Sequence, residues 1–142
     1  MATGATASYK ALLKVGDGAT PEIFATIAEV KDIKGPAMKA DVEDATSHDS
    51  TEGWKEYIPT LIEGGDVSFD IQFVPTGATH SYVAGVLKLM VDRTLRNFRL
   101  LFPDTTTWTL PAYVTEFTPE NTLKGISMAS ITLQVSGKPT LA

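Results

Sequence analysis

The chain has 142 residues, 43% hydrophobic and 20% charged, with no cysteine and a formal net charge of −5. Such a composition excludes wholesale disorder, and the missing cysteine excludes disulfide staples, thiolate metal sites and cysteine nucleophiles. The acidic balance argues against a groove that grips nucleic acid, which should be basic because phosphate neutralisation supplies most of its affinity.

The length suits one domain, 1–142, and the absence of cysteine fits a reducing compartment. Residues 1–7 open the chain with small, mostly polar side chains and no basic segment followed by an apolar run. They do not read as a signal peptide and are expected to be mobile until something pins them. The longest apolar candidate, residues 82–91, is broken by Lys88 and falls far short of the ~20 residues a membrane helix needs, so no membrane anchor is expected.

Alternation of apolar and polar residues predicts a series of half-buried strands. Tyr9, Ala11, Leu13 and Val15 face one way, and Gly16, Asp17 and Gly18 follow with turn chemistry. A second, less regular extended stretch runs over residues 23–33 and breaks at Gly35-Pro36. Met38, Ala40 and Val42 alternate with Lys39, Asp41 and Glu43. The cleanest strand places Val67, Phe69, Ile71 and Phe73 inside and Asp66, Ser68, Asp70 and Gln72 outside. Phe98, Leu100 and Phe102 predict another strand. Trp108, Leu110, Ala112 and Val114 predict the next, with Trp108 on the core face. Ala129, Ile131, Leu133 and Val135 predict the last.

Two segments depart from this rhythm. Over 79–93 the apolar residues Val83, Val86, Leu87 and Met90 recur at three and four, which predicts an amphipathic helix with Thr79 as its N-cap. Residues 45–64 read as a long acidic loop containing Trp54, Tyr57, Ile58 and Leu61. Loops of that length are functional or ordered by a partner; Trp54 and Tyr57 either fold back onto their own core or are covered by another molecule. The fold class is mainly β, a β-sandwich or flattened barrel of about seven strands with one amphipathic helix.

Charge is segregated. Asp41, Glu43, Asp44, Asp49, Glu52, Glu56, Glu63, Asp66 and Asp70 lie between residues 40 and 87 with Lys55 as their only basic neighbour, and Lys88, Arg93, Arg96 and Arg99 come after. Two solvated faces of opposite sign would explain this. So would a charge-complementary contact between copies, with Asp41, Glu43 and Asp44 meeting Lys88, Arg93, Arg96 and Arg99.

No catalytic constellation stands out. His80 is expected on the surface in the first turn of the helix. His48 has serine and aspartate neighbours, but a triad needs a fixed geometry and an oxyanion hole that three neighbours on one loop rarely supply. Asp41, Glu43, Asp44 and Asp49 could ligate calcium, yet their spacing is not that of an EF-hand loop. Neither Gly16-Asp17-Gly18 nor Gly64-Gly65 opens a helix, so no phosphate cradle is expected. No cofactor, no metal and no reaction are expected. The pattern suits a building block.

Several stretches, in order, then carry a family likeness: residues 8–18, 24–30 and 33–36, the stretch Val42-Glu43-Asp44-Ala45-Thr46-Ser47-His48-Asp49-Ser50, then Trp54-Lys55-Glu56-Tyr57-Ile58-Pro59 and Gly64-Gly65-Asp66-Val67-Ser68-Phe69, and a helix followed by three strands ending Val135-Ser136-Gly137-Lys138-Pro139. In their order and spacing they resemble the tail tube (major tail) proteins of long-tailed bacteriophages. The resemblance implies copies of the chain joined into rings, usually hexameric, stacked as a hollow tube, with the sheets lining the lumen. It implies tail-tip, tape-measure and terminator proteins as partners, DNA that passes without specific binding, and a place in the virion after synthesis in the host cytoplasm. On it, the 45–64 loop, with His48, Asp49, Trp54 and Tyr57, would bridge subunits, and Asp66, Ser68, Asp70 and Gln72 would face the lumen. An acidic wall repels phosphates, so DNA slides through it. The inner tube of a bacterial secretion or contractile injection system shares this logic and is the nearest alternative. A monomeric β-sandwich adhesion or carbohydrate-binding module is the alternative from another class.

Overall fold

The structure, a computed structural model, describes residues 4–5 and 7–141. Most of the expected N-terminal segment 1–7 therefore lies outside the described residues. In chain order the strands are β1 (Leu12–Gly16), β2 (Phe24–Thr26), β3 (Val30–Lys34), β4 (Lys39–Asp44), β5 (Tyr57–Glu63) and β6 (Asp66–Gln72). The helix α1 (Val86–Asp92) follows, then β7 (Arg96–Leu101), β8 (Thr107–Glu120), β9 (Met128–Val135) and the short β10 (Thr140–Leu141).

The main sheet runs β2-β1-β7-β8-β9-β6-β3, with β10 added on β8. Its pairings are antiparallel. Alternation sends Val67, Phe69 and Ile71 of β6, Phe98 and Leu100 of β7, Leu110, Ala112 and Val114 of β8, and Ala129, Ile131, Leu133 and Val135 of β9 to one face, where all are buried. One sheet can bury that face only by curling around it. The curl brings its two edges together, because β2 and β3 are consecutive in the chain. Ile27, buried at their junction, donates its N–H to the Leu13 carbonyl, while Glu29, at φ +58°, accepts from Gln72. The extended stretch expected over 23–33 is thus two strands split by this turn. The flattened-barrel class holds, with one helix and with more strands than the sequence pattern shows.

The first strand starts later than expected. Lys10 has φ +77° and Tyr9 is exposed, so only Leu13 of that set is buried. Trp108 is half-buried and packs edge-on against Phe102, at 5.1 Å between ring centroids, in line with its expected core-facing place.

The helix is half the expected length. Thr79 does not cap it; its Oγ1 accepts the Ala28 N–H at 3.0 Å, and the N-cap position is Gly85. His80 is not a surface residue. It is 1% exposed, with Nδ1 accepting the Val74 N–H at 3.1 Å and Nε2 lying 2.6 Å from the Ala28 carbonyl oxygen. These bonds draw residues 79–80 onto the β2–β3 turn and leave the chain turning until Gly85. Val86 then plugs the core, while Val83 is exposed.

The expected loop 45–64 is shorter as well. Residues 57–63 form β5, which pairs with β4 as a separate two-stranded hairpin. β5 escapes periodicity because its apolar residues Ile58, Leu61 and Ile62 fall on both faces of the strand, and both faces stay exposed.

Candidate assembly surfaces

The outward face of β6 carries the four residues expected at the lumen. Asp66 is exposed, and Ser68, Asp70 and Gln72 are half-buried. Pairing extends the face sideways. Ser68, Thr132 and Glu116 form one row across β6, β9 and β8; Asp70, Ser130 and Thr118 form the next; Gln72, Met128 and Glu120 form the third. Ser130 Oγ donates to Asp70 Oδ1 at 2.8 Å. Asp66, Asp70, Glu116 and Glu120 therefore share one polar surface, with Lys34 beside Ser68 at its β3 edge and Lys31 and Lys124 near Glu120 and Met128 at its end. The β8 acids were missed from sequence because the expected strand stops at Val114, just before the register shift that precedes Glu116. The alternation of Glu116, Thr118 and Glu120 around Phe117 was the available signal.

The hairpin is the second surface. Every residue of β4 and β5 is exposed. Among them Leu61 is 74% and Ile62 79% exposed, and at the tip Trp54 is 73% and Tyr57 54% exposed. A two-stranded ribbon with this much uncovered apolar surface is marginal in water, and a patch of this kind marks a contact surface. Of the two readings of Trp54 and Tyr57, folding back onto their own core is the one the structure does not take.

Its tip is nevertheless well bonded. Thr46 Oγ1 accepts the Glu56 N–H at 2.8 Å, the Ala45 N–H reaches the Glu56 carbonyl at 2.8 Å, and Ser50 Oγ donates to Glu56 Oε2 at 2.7 Å. Asp44 takes the Thr46 N–H at 2.9 Å. Hydrogen bonding from the Thr46 side chain and then its backbone holds the Asp44 carboxyl below the ordinary aspartate range. His48 and Asp49 sit exposed in the same turn, where Ser47 Oγ accepts the Asp49 N–H and Ser50 Oγ the Ser47 N–H. Among the described residues no group of three or more His, Asp or Glu side chains is placed to hold a metal ion. No helix among them is long and apolar enough to cross a membrane.

Two glycine crossings aim the hairpin. Gly65 has φ +74°, and a Cβ there would fall on the Ala37 carbonyl oxygen; Gly35 has φ +106°, and a Cβ there would fall on the Asp66 carbonyl oxygen. The two legs of the hairpin leave the sheet through this backbone-on-backbone contact, bridged by the Ala37 N–H to the Asp66 carbonyl at 3.2 Å.

The basic residues after 87 do not form one patch. Arg99 stands on the outward side of the sheet with its guanidinium 3.8 Å from the Phe24 ring centroid. Arg96 points to the other side, near Gly18 and Asp17, and Lys88 is on α1 with Arg93 just after it. Of the four, Lys88 and Arg96 meet at one crevice, between the β1–β2 corner and residues 78–96.

The comparisons with known proteins agree with this architecture. The family described as lambda phage tail tube protein matches residues 6–142. Among solved structures, a chain of the tail of an empty gene transfer agent particle, refined with C6 symmetry, superposes with a TM-score of 0.79 at 19% identity, over 97% of this chain and 99% of that one. A chain of the virion of a native gene transfer agent particle gives 0.78 at 18% identity, over 97% and 99%. One from the sheath/tube terminator of an extracellular contractile injection system gives 0.71 at 13% identity, over 100% and 99%. No curated protein sequence matches.

Proposed function

The chain belongs to the lambda phage tail tube protein family, and from that premise we propose that its copies join into six-membered rings that stack as the hollow tube of a phage tail. The observation that carries this is the exposed hairpin: a well-bonded tip presents Trp54 and Tyr57 to solvent, and association with another copy is what would bury them. The sixfold symmetry of the similar gene transfer agent tail supports the ring size.

In this arrangement the β6–β9–β8 face lines the lumen. Asp66, Asp70, Glu116 and Glu120 put like charge against the phosphates of passing DNA, which therefore moves through the bore without specific binding. The hairpin, with His48, Asp49, Trp54 and Tyr57, bridges subunits. Copies of the chain are the first partners, and tail-tip, tape-measure and terminator proteins set where the stack begins, its length and its end. The subunit performs no reaction; its place is the tail of the virion after synthesis in the host cytoplasm. The inner tube of a contractile injection system is the second arrangement, supported by the fold shared with such a particle; its bore would pass a cargo other than a genome.

Sedimentation velocity with negative-stain electron microscopy, on fresh and concentrated protein, tests the proposal. Rings or hollow tubes are expected. A chain that stays monomeric at high concentration and with tail-tip components added contradicts it and favours the monomeric binding module.

A further inference from the structure

Residues 39–63 carry seven acids and two lysines, so the hairpin holds the whole of the chain's net charge of −5. The rest of the molecule is neutral in sum. An assembly that laid hairpins side by side would repel itself, so the hairpin needs a surface that offers both apolar area and positive charge.

The crevice between the β1–β2 corner and residues 78–96 offers both. It has a volume of about 420 Å³. Val15, Ile23, Val83 and Leu89 give it an apolar lining, and Lys88 and Arg96 stand at its rim. Ile23 and Val83 are strongly exposed in the free chain, as is the adjoining Tyr82. Two acids also border it, Asp17 and Asp92. The Asp17 carboxylate is held by the Ala19 and Ile23 N–H groups and lies near Arg96, so the lining is neutral in sum and Lys88, exposed on α1, is the cation an incoming acid meets.

We propose that this crevice is the receptor for the hairpin tip of a second copy: Trp54 enters the apolar lining, and the acids around it, Glu52 and Glu56 among them, face Lys88 and Arg96. This rests on the tube proposal and adds the docking surface to it. A preformed tip meeting a preformed crevice loses little conformational entropy on docking, and tryptophan is one of the residues that most often anchor a binding hot spot.

Because the native chain has no cysteine, paired cysteines report this contact cleanly. In tubes of the double variant Glu52→Cys, Val83→Cys, oxidation is expected to yield a ladder of covalent multimers on a non-reducing gel, with neither single variant giving more than dimers. A charge exchange gives an independent reading. Lys88→Glu and Glu52→Lys should each raise the critical concentration for assembly roughly fivefold or more, equivalent to about 1 kcal/mol, and together restore most of it. A wild type that forms tubes, with no ladder from the double cysteine variant and no rescue by the double charge variant, overturns this inference and leaves the tube proposal standing. A wild type that forms no tubes under any condition removes the tube proposal, and the inference with it.

Discussion

Ser130 Oγ donates to Asp70 Oδ1 at 2.8 Å across paired strands β9 and β6, on the face of the sheet away from the core. The bond fixes the Asp70 carboxylate on a surface that also carries Asp66, Glu116 and Glu120. If this surface is the bore, its charge governs passage and contributes little to the fold. The double variant Asp66→Lys, Asp70→Lys should still assemble, and its tubes should retain short duplex DNA at low salt and release it as salt rises. Wild-type tubes should retain none. Co-sedimentation of labelled DNA reads the difference, and equal retention by the two tubes contradicts the assignment.

Gly65 and Gly53 share nearly the same left-handed φ, +74° and +76°, but not the same surroundings. A Cβ at Gly65 meets the Ala37 carbonyl, whereas one at Gly53 meets nothing within 4 Å. Gly53→Ala should cost only the left-handed penalty of about 1–2 kcal/mol and leave the hairpin's direction from the sheet unchanged. Gly65→Ala adds a backbone collision that swings the hairpin away from its aim, so it should abolish tubes while the sheet still folds. Circular dichroism and electron microscopy on both variants check this.

His80 is the buried polar side chain that ties residues 79–80 to the β2–β3 turn. Its Nδ1 accepts an N–H, so Nε2 carries the proton and donates to Ala28. His80→Ala leaves the Val74 N–H and the Ala28 C=O without that partner and opens a cavity where the ring, 1% exposed, is packed. We expect a loss of roughly 2–4 kcal/mol, read as a fall in Tm on the order of 8 °C. His48→Ala, at an exposed position, should stay within about 0.5 kcal/mol. Equal melting shifts for the two would contradict the clamp.

Asp17 closes the turn after β1 by accepting the Ala19 and Ile23 N–H groups at 2.9 and 3.2 Å. The Ala19 bond most of all, then the Ile23 bond, holds its carboxyl below the ordinary aspartate value of 3.8. A depressed folded-state value stabilises the turn above the unfolded value, and that contribution disappears as pH falls through the folded one. In an NMR titration the Asp17 carboxyl should titrate with a midpoint below 3.8, and the Ala19 and Ile23 amides should shift with the same midpoint. A midpoint at or above that value contradicts the account.

The sequence shows the core strands best where burial is one-sided. Val67, Phe69 and Ile71 alternate with Asp66, Ser68, Asp70 and Gln72 because one face of β6 meets the core and the other does not, and β9 is legible for the same reason. The hairpin is illegible as a strand pair because neither face is buried within the chain, so Ile58, Leu61 and Ile62 follow no alternation that one subunit could explain. The helix is over-read because Thr79 and His80 spend their side chains on Ala28, a tertiary bond 51 and 52 residues away that local spacing does not encode. The acids of β8 are hidden by a register shift after Val114. As for the site, the polar face of β6 could be read from residue pattern, whereas for Trp54 and Tyr57 the pattern leaves two readings open and the fold shows them exposed. The crevice could not, because Val15, Ile23, Val83 and Lys88 come from three separate segments that meet only in the folded chain.

An electron cryomicroscopy reconstruction of assembled tubes tests the central claim most directly, because it shows which face of the sheet meets the bore. The account predicts Asp66, Ser68, Asp70 and Gln72 on the lumen wall, with Glu116 and Glu120 beside them. A reconstruction that places this face on the outer surface of the tube, or buries it between subunits, would contradict it.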